Sequence, residues 1–164
     1  MRIYLTGASG FVGSNLVHVF ARGALRIEPS FAEADDIDTA LVTLVHEDGC
    51  LTAIDNSRRA AYGYDQRVEV LGSEGMARSE NPRAHTGSVL AAAGERRPPN
   101  PYFFLERYLQ SYVREWEAFV EAVKTGATPP VSTTDARAPL VIGLAAGQSL
   151  REGRPVRVEE VKAR

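Results

Sequence analysis

The stretch DIDTALVTLVHEDGCLTAIDNSRR, residues 36–59, decides the fold. Two segments rich in β-forming residues, Thr39 to His46 and Cys50 to Ser57, flank the tripeptide Glu47-Asp48-Gly49. Asp-Gly between two such segments is a strong hairpin signal, because glycine adopts a positive φ without a Cβ clash. The pattern therefore predicts a pair of antiparallel strands.

The flanking sequence extends this hairpin into an α+β fold. We predict a meander of four or five antiparallel strands over residues 38–92 and an irregular loop over 94–101, GERRPPNP, where three prolines remove backbone donors. Apolar spacing predicts a helix from Leu105 to Lys124, a second helix from Asp135 to Gly153, and a closing strand in RPVRVEEV. The predicted class is an open, mostly antiparallel sheet with helices on one face, preceded by a short Rossmann-like βα unit whose helix covers Phe11–Ala21.

Composition excludes several classes of function. The chain has 164 residues and a net charge of −2, with no basic block that would favour nucleic acid or an anionic membrane. No stretch approaches the roughly 18 apolar residues of a membrane span. The single cysteine, Cys50, cannot form an internal disulfide, which fits a cytoplasmic protein. No metal-ligating cluster is predicted.

A glycine-rich loop, TGASGFVGS, lies near the start of the chain at residues 6–14. Gly7 suits the tight turn after a strand, Gly10 a close approach of the backbone to a pyrophosphate, and Gly13 the packing of the following helix. The sequence of this loop resembles the extended short-chain dehydrogenase/epimerase family over about residues 1–22. The resemblance implies NAD or NADP as the cofactor. That family's Tyr-x-x-x-Lys motif is absent. Two interpretations stay open: a nucleotide-binding loop of an epimerase-type protein, or a turn only.

From about residue 24 to 158 the chain resembles a second family. The stretches IDNSRRAAYGYDQRVEV, PYFFLERYLQSYVREWEAFVEAVKTG and DARAPLVIGLAAGQSLREGRPVRV are similar to the C-terminal part of inositol 2-dehydrogenases of the glucose–fructose oxidoreductase/inositol dehydrogenase (Gfo/Idh/MocA) family. The resemblance implies an NAD(P)-dependent polyol oxidoreductase with an N-terminal Rossmann domain. It also implies a C-terminal α+β domain whose sheet builds a homodimer or homotetramer.

The family's catalytic motifs are missing from this sequence. The resemblance implies a Lys in a Glu-Lys-Pro motif and an Asp-x-x-x-His pair, but Lys124 and Lys162 are the only lysines, and neither lies in such a motif. No histidine follows an Asp at that spacing, so no catalytic residue is assigned. We therefore predict a fragment or fusion, with a truncated Rossmann-like segment at 1–23 and an oxidoreductase C-terminal domain at 24–164. Its predicted role is oligomerisation rather than catalysis.

Four residues in the YGYDQR stretch are the candidate substrate contacts. The resemblance places Tyr62 and Tyr64 near a sugar-like substrate, and a phenol offers both a hydroxyl and an apolar face to a polyol ring. Asp65 and Arg67 are candidates for hydrogen bonds to adjacent hydroxyls. An ion-pair and hydrogen-bond cluster with a purely structural role at a strand entry is the alternative.

The strand from Thr39 to His46 predicts an oligomer. Alternation places Leu41, Thr43 and Val45 on one face and Val42, Leu44 and His46 on the other. Helices cover only one of these faces. We therefore expect the other to pack against a second copy, and this agrees with the homodimer or homotetramer that the resemblance implies.

Overall fold

The structure is a computed structural model, and it describes residues 16–161. Gly7, Gly10 and Gly13 lie outside the described residues. In chain order the strands and helices are β1 Leu16–Ala24, β2 Thr39–His46, β3 Leu51–Ser57, β4 Val68–Gly72, β5 Gly75–Ser79, β6 Val89–Ala91, β7 Gly94–Arg96, α1 Phe104–Thr125, α2 Thr133–Glu152 and β8 Val156–Arg157. The described chain divides into one unit over 16–58 and 128–161 and a second over 59–127. The α+β class with open antiparallel sheets is confirmed.

The first unit is a four-stranded antiparallel sheet with α2 packed on one face. The strand order is β3-β2-β1-β8. Short 3-10 helices, Pro29–Ala34 and Val158–Glu160, complete the unit. The core lies between the sheet and α2 and consists of Leu16, Val19, Ala21, Val42, Leu44, Ile142, Ala145, Ala146 and Val156. The predicted division of β2 into two faces is confirmed, since Val42, Leu44 and His46 are buried whereas Leu41 and Thr43 are exposed.

The helix predicted over Phe11–Ala21 is wrong for the residues that the structure describes, because Leu16–Ala24 forms the strand β1. A register shift between Leu16 and His18 marks a β-bulge against β2. The bulge adds one residue and changes the alternation, so the buried positions fall at 16, 19 and 21. That spacing resembles a helical repeat, although Val17 and Val19 favour a strand.

Gly23 lies inside β1 and gives room for close packing. A Cβ placed there would lie 2.0 Å from Cδ1 of Ile37 and 3.3 Å from Cδ1 of Leu150. The position therefore excludes a larger side chain because neighbouring apolar groups occupy that space.

Asp38 fixes the loop between β1 and the first 3-10 helix. Its carboxylate accepts backbone hydrogen bonds from Arg26 at 2.9 Å, Ile27 at 2.6 Å and Glu28 at 2.9 Å. Burial alone would raise the pKa of Asp38, but these three N–H groups outweigh it and lower the pKa to about 2. The hydrogen bonds give this carboxylate a structural role at the start of β2.

The second helix of the chain begins slightly earlier than predicted. Ser132, not Asp135, is the N-cap of α2, and its hydroxyl accepts from the backbone N–H of Asp135 at 3.2 Å. The Asp135 carboxylate accepts in return from the backbone N–H of Ser132 at 2.8 Å. The pair forms a reciprocal capping box, so Asp135 takes part in the cap from the first turn rather than from the cap position.

The second unit contains α1 and two separate hairpins, β4-β5 and β6-β7. The prediction of one continuous meander over residues 38–92 is therefore wrong. The predicted 94–101 loop begins with strand β7, which pairs with β6. Its prolines all follow the strand, so they do not interrupt the pairing. In the first hairpin Met76 pairs with Leu71 and not with Val70, which places Met76 on the opposite face from Val68 and Val70.

The helix α1 is amphipathic but mostly exposed. The helical spacing of its aromatic residues, Tyr108, Tyr112, Trp116 and Phe119, is typical of a core face between helix and sheet. Instead Trp116 is 66% and Phe119 53% exposed, and Ala122 is the only buried residue of this helix. No helix within residues 16–161 is long and apolar enough to cross a membrane.

Ser149 joins α2 to the sheet and gives the first testable prediction. Its hydroxyl accepts from the backbone N–H of Ala21 at 3.0 Å and donates to the carbonyl of Arg154 at 2.6 Å. Ser149 is fully buried. Substitution by Ala leaves both backbone groups without this partner, and we expect the free energy of unfolding in urea to fall by about 1–3 kcal/mol.

Ser111→Ala is the matched control for this change, because Ser111 lies exposed on α1. Its expected effect is within about 0.5 kcal/mol. Equal stabilities of the two variants would show that the Ser149 hydroxyl contributes nothing to the attachment of α2.

Candidate functional site

The loop that follows β3 is shaped by Gly63. This residue has φ +110°, and a Cβ there would meet Cβ of Asn100 at 2.9 Å and the carbonyl oxygen of Pro101 at 3.0 Å. The next residue, Tyr64, donates its backbone N–H to that carbonyl at 2.7 Å. The loop is therefore held against residues 100–101, and only glycine fits at position 63 without strain.

Asp65 is the centre of a hydrogen-bond network. Its two carboxylate oxygens accept from Nε and Nη2 of Arg67, both at 2.8 Å. They also accept from the Tyr62 hydroxyl and from Nδ2 of Asn81, both at 2.6 Å. The network joins the loop to the segment that follows β5.

These contacts change the pKa values of all three ionisable partners. Hydrogen bonds from Arg67, then Tyr62 and Asn81, hold the pKa of Asp65 well below its usual range. The same carboxylate raises the pKa of Tyr62 and of Arg67. Asp65 is therefore a charged anchor over the whole neutral range, and its oxygens are already engaged with protein donors.

A second cluster surrounds Tyr64. Its ring packs edge-to-face on Tyr108, with centroids 5.8 Å apart and an interplanar angle of 83°. The Tyr108 hydroxyl donates to Oε1 of Gln66. Burial, followed by the hydrogen bond with the Tyr64 side chain, raises the pKa of Tyr108 to about 12. The Tyr108 phenol therefore remains protonated at neutral pH.

Gln66 and Asn81 connect the two clusters. The backbone N–H of Gln66 donates to Oδ1 of Asn81 at 2.8 Å, while Nδ2 of the same Asn81 donates to Asp65. The structure thus brings together the predicted residues Tyr62, Asp65 and Arg67 in one network, with Tyr64 in the adjoining cluster. We call the combined set the YGYDQR cluster: Tyr62, Tyr64, Asp65, Gln66, Arg67, Asn81 and Tyr108.

Sequence reasoning missed Asn81 and Tyr108 as members of the cluster. Tyr108 lies 42 residues from Gln66 in the chain, and its spacing in α1 indicated a core position instead. Its half-buried environment differs from that of Trp116 and Phe119, which are exposed. A signal was present for Asn81, since an Asn-Pro pair directly after a strand favours side-chain to backbone hydrogen bonds.

The chemistry available at the cluster is neutral hydrogen bonding beside aromatic rings. Two phenols and an amide offer donors and acceptors, and the tyrosine rings offer apolar area. No group of three or more His, Cys, Asp or Glu that could hold a metal ion occurs within residues 16–161. This combination suits a polyhydroxylated ring better than an ion.

The histidines lie elsewhere. His46 is 5% exposed, its Nε2 is 3.0 Å from the Thr52 hydroxyl, and Nδ1 is buried without a partner among the described residues. Thr52 and Ile54 therefore face the covered side of the sheet, which they share with Val42, Leu44 and His46. His18 pairs with Val45 in the sheet, and His85 lines a cavity beside the β6-β7 hairpin.

A sequence profile of the GFO/IDH/MocA C-terminal domain matches residues 4–78. The match begins before the glycine loop, and the resemblance of residues 1–22 to the extended short-chain dehydrogenases is not confirmed. The resemblance to inositol 2-dehydrogenases is confirmed. Myo-inositol 2-dehydrogenase of Thermotoga maritima is 45% identical over 150 residues, which cover 92% of this chain and 45% of that protein. Inositol 2-dehydrogenase of Rhizobium meliloti is 38% identical over 147 residues, covering 90% and 44%.

The chain is also similar to solved structures of dehydrogenases. The crystal structure of a probable dehydrogenase from Thermotoga maritima matches with a TM-score of 0.87 and 44% identity, covering 92% of this chain and 45% of that one. A scyllo-inositol dehydrogenase from Lactobacillus casei, solved with bound NAD(H) and scyllo-inositol, matches with a TM-score of 0.81 and 26% identity, covering 91% and 44%. The chain spans about half the length of the relatives it matches.

Proposed function

Because this chain is related to the C-terminal domain of the GFO/IDH/MocA oxidoreductases, we propose that it binds a polyol of the inositol type at the YGYDQR cluster. We propose further that it serves as the substrate-covering and oligomerising part of an inositol dehydrogenase-like, NAD(P)-dependent system, and that it does not oxidise the polyol by itself. The observation that carries the proposal is the pair of tyrosine phenols, Tyr64 and Tyr108, packed edge-to-face beside a loop fixed by Asp65.

The geometry supports different proposed roles for the predicted contacts. Asp65 and Arg67 neutralise each other in a two-point ion pair and hold the loop, so their role is positioning. Tyr62 is 63% exposed, and its hydroxyl donates to Asp65, which leaves the oxygen lone pairs available as acceptors. Tyr64 presents the phenol that lies outside the Asp65 network. The polyol hydroxyls would bind Tyr64 and Tyr62, and the ring C–H groups would lie on aromatic faces.

NAD(P) binding is not assigned to the described residues. A dinucleotide site of the Rossmann type needs a free carboxylate for the ribose hydroxyls. Asp38 follows the first strand but accepts three backbone hydrogen bonds, so it does not fit that role. The relative with bound NAD(H) supports NAD as the cofactor of the proposed system. For this chain alone, polyol contact is the function that the geometry supports.

Polyol binding is tested by titrating the protein with myo-inositol, with scyllo-inositol in parallel, while ring proton signals of the ligand are followed by saturation-transfer NMR. We expect saturable binding. We expect Tyr64→Phe to weaken it by about two- to tenfold, since a single hydrogen bond contributes about 0.5–1.5 kcal/mol. Tyr108→Phe should weaken it by a comparable factor, because the Tyr108 hydroxyl orients Tyr64.

Tyr102→Phe is the matched control, because Tyr102 is 85% exposed and no described side chain pairs with its hydroxyl. Its affinity for the polyol should equal that of the unsubstituted protein. Absence of saturable transfer to either inositol, in protein whose circular dichroism is intact, would reject the polyol site. It would leave the YGYDQR cluster with a structural role only.

A further inference from the structure

A basic cavity lies beside the β6-β7 hairpin in the second unit. Its volume is about 520 Å³, within the range of roughly 300–1,000 Å³ that is typical of small-molecule sites. Polar groups that line it include His85, Ser88, Arg96 and Arg97. None of them belongs to the YGYDQR cluster, so the cavity is separate from the proposed polyol site.

The hairpin places the two arginines next to each other at its open end. Val89 pairs with Arg96 across the two strands, and Ser88 and Arg97 follow directly outside that pair. Arg83 donates to the carbonyl of Pro98 and so ties the segment before β6 to the segment after β7. At Gly87 a Cβ would lie 3.3 Å from Nδ1 of His85, which shows how closely the imidazole approaches this backbone.

The cavity has more positive than negative side chains around it that lack a partner of opposite charge. Glu95 accepts from Nε of Arg97 at 3.1 Å, and the bonds from Arg97 and then from the Ser88 hydroxyl lower the pKa of Glu95. Glu80, the other nearby carboxylate, pairs with Arg78 at 3.1 Å. Within residues 16–161 no hydrogen bond or ion pair engages the Arg96 side chain. The cavity therefore holds a guanidinium with no counter-charge, in a chain whose net charge is −2.

We propose that this cavity is a binding site for the phosphate group of a small molecule, with Arg96 as the principal ligand. Arg97 is held through Nε, so its outer nitrogens remain free to donate to the same anion. The His85 ring supplies a further hydrogen-bonding group at the rim, where the Ser88 hydroxyl is already engaged by Glu95. Guanidinium forks match the oxygens of a phosphate in two-point contacts, and this match favours phosphate over a spherical anion such as chloride.

The site is independent of the polyol function. Its ligands lie on the hairpin and the loop before it, whereas the polyol contacts lie on the loop after β3 and on α1. A phosphate that bound here would leave Tyr64 and Tyr108 unchanged, so polyol affinity and phosphate affinity should vary separately between variants.

The probe is inorganic phosphate, with glycerol phosphate as a monoester, titrated into the full chain while the His85 ring and Ser88 backbone signals are followed by NMR. We expect saturable shifts with both probes and none with chloride at matched ionic strength. Arg96→Gln should weaken phosphate binding about tenfold or more, because it removes a charge-assisted contact. Arg96 is exposed, so this substitution should leave the fold intact.

Arg114→Gln is the matched control, since Arg114 is an exposed arginine of the same unit that pairs with Glu117 at 3.4 Å. It should leave phosphate affinity unchanged. Shifts that grow linearly without saturation, or an equal loss in both variants, would show that phosphate responds only to the general charge of the unit. Either result would overturn the proposal.

Discussion

Purified protein mixed with NAD or NADP and myo-inositol is expected to produce no reduced nucleotide above the rate without protein. In the family that the chain resembles, proton removal depends on a Lys in a Glu-Lys-Pro motif and on an Asp-x-x-x-His pair, and neither motif occurs in this sequence. Lys124 lies in the last turn of α1, where a cation favours the helix C-terminus. General acid–base catalysis contributes about 10²–10⁴-fold, so its absence alone should reduce turnover to the background rate.

The assay needs a positive control and a second readout. Myo-inositol 2-dehydrogenase of Thermotoga maritima, assayed in the same buffer, shows that the conditions support the reaction. A thermal melt with NAD tests the glycine loop separately, because a ligand at 100 times its dissociation constant stabilises a protein by about 2.7 kcal/mol. We expect no change in melting temperature. Reduction of NAD that depends on the protein and on myo-inositol would contradict the proposed non-catalytic role.

The β2-β3 hairpin could be predicted from sequence because its signal is local. Asp48-Gly49 marks the turn, and the alternation of side chains along β2 predicts which face is buried. The strand β1 could not be predicted in this way. Its bulge near Val17 is set by pairing with β2, and without knowledge of that partner the buried positions resemble a helix. Local rules fail here because register is a property of two strands together.

In the YGYDQR cluster, too, the contacts between residues close in sequence could be predicted, whereas the contact with a distant residue could not. Tyr62, Asp65 and Arg67 lie within six residues, so their mutual contacts follow from short-range sequence. Tyr108 joins the cluster only because α1 returns to the loop after β3, and helical periodicity alone assigns it to a core face. The four predicted residues remain proposals for substrate binding. The structure adds the physical reason why two of them, Asp65 and Arg67, are better suited to hold the loop than to bind a ligand.

The sheet of the first unit leaves one face open, and we expect that face to pair with a second copy of the chain. On this face Leu41 is 64% and Leu51 72% exposed, and Thr43 lies between them at the centre of β2. Leu41 has Arg22 on one neighbouring strand and Asp55 on the other. The face therefore carries charges of both signs beside exposed apolar side chains. That arrangement is compatible with an identical partner, because each copy offers both signs.

Burying such a face is favourable at roughly 25 cal/mol per Å² of apolar area, and a stable interface should exceed about 1,000 Å². Sedimentation or light scattering of the unsubstituted protein should therefore give a dimer, or a tetramer built from one. Thr43→Asp places a charge at the centre of the face, twice in every dimer. Like charges brought together at an interface cost several kcal/mol, so the dissociation constant should rise roughly a hundredfold or more.

Thr134→Asp is the matched control, because Thr134 is exposed in the first turn of α2, where an acidic residue suits the helix N-terminus. This variant should keep the oligomeric state of the unsubstituted protein. Circular dichroism of Thr43→Asp should be unchanged, since the side chain at position 43 points away from the core. A monomeric mass for the unsubstituted protein with intact circular dichroism would refute the dimer. So would an unchanged dimer in Thr43→Asp, because a charge cannot be buried at the centre of that interface without a measurable loss of affinity.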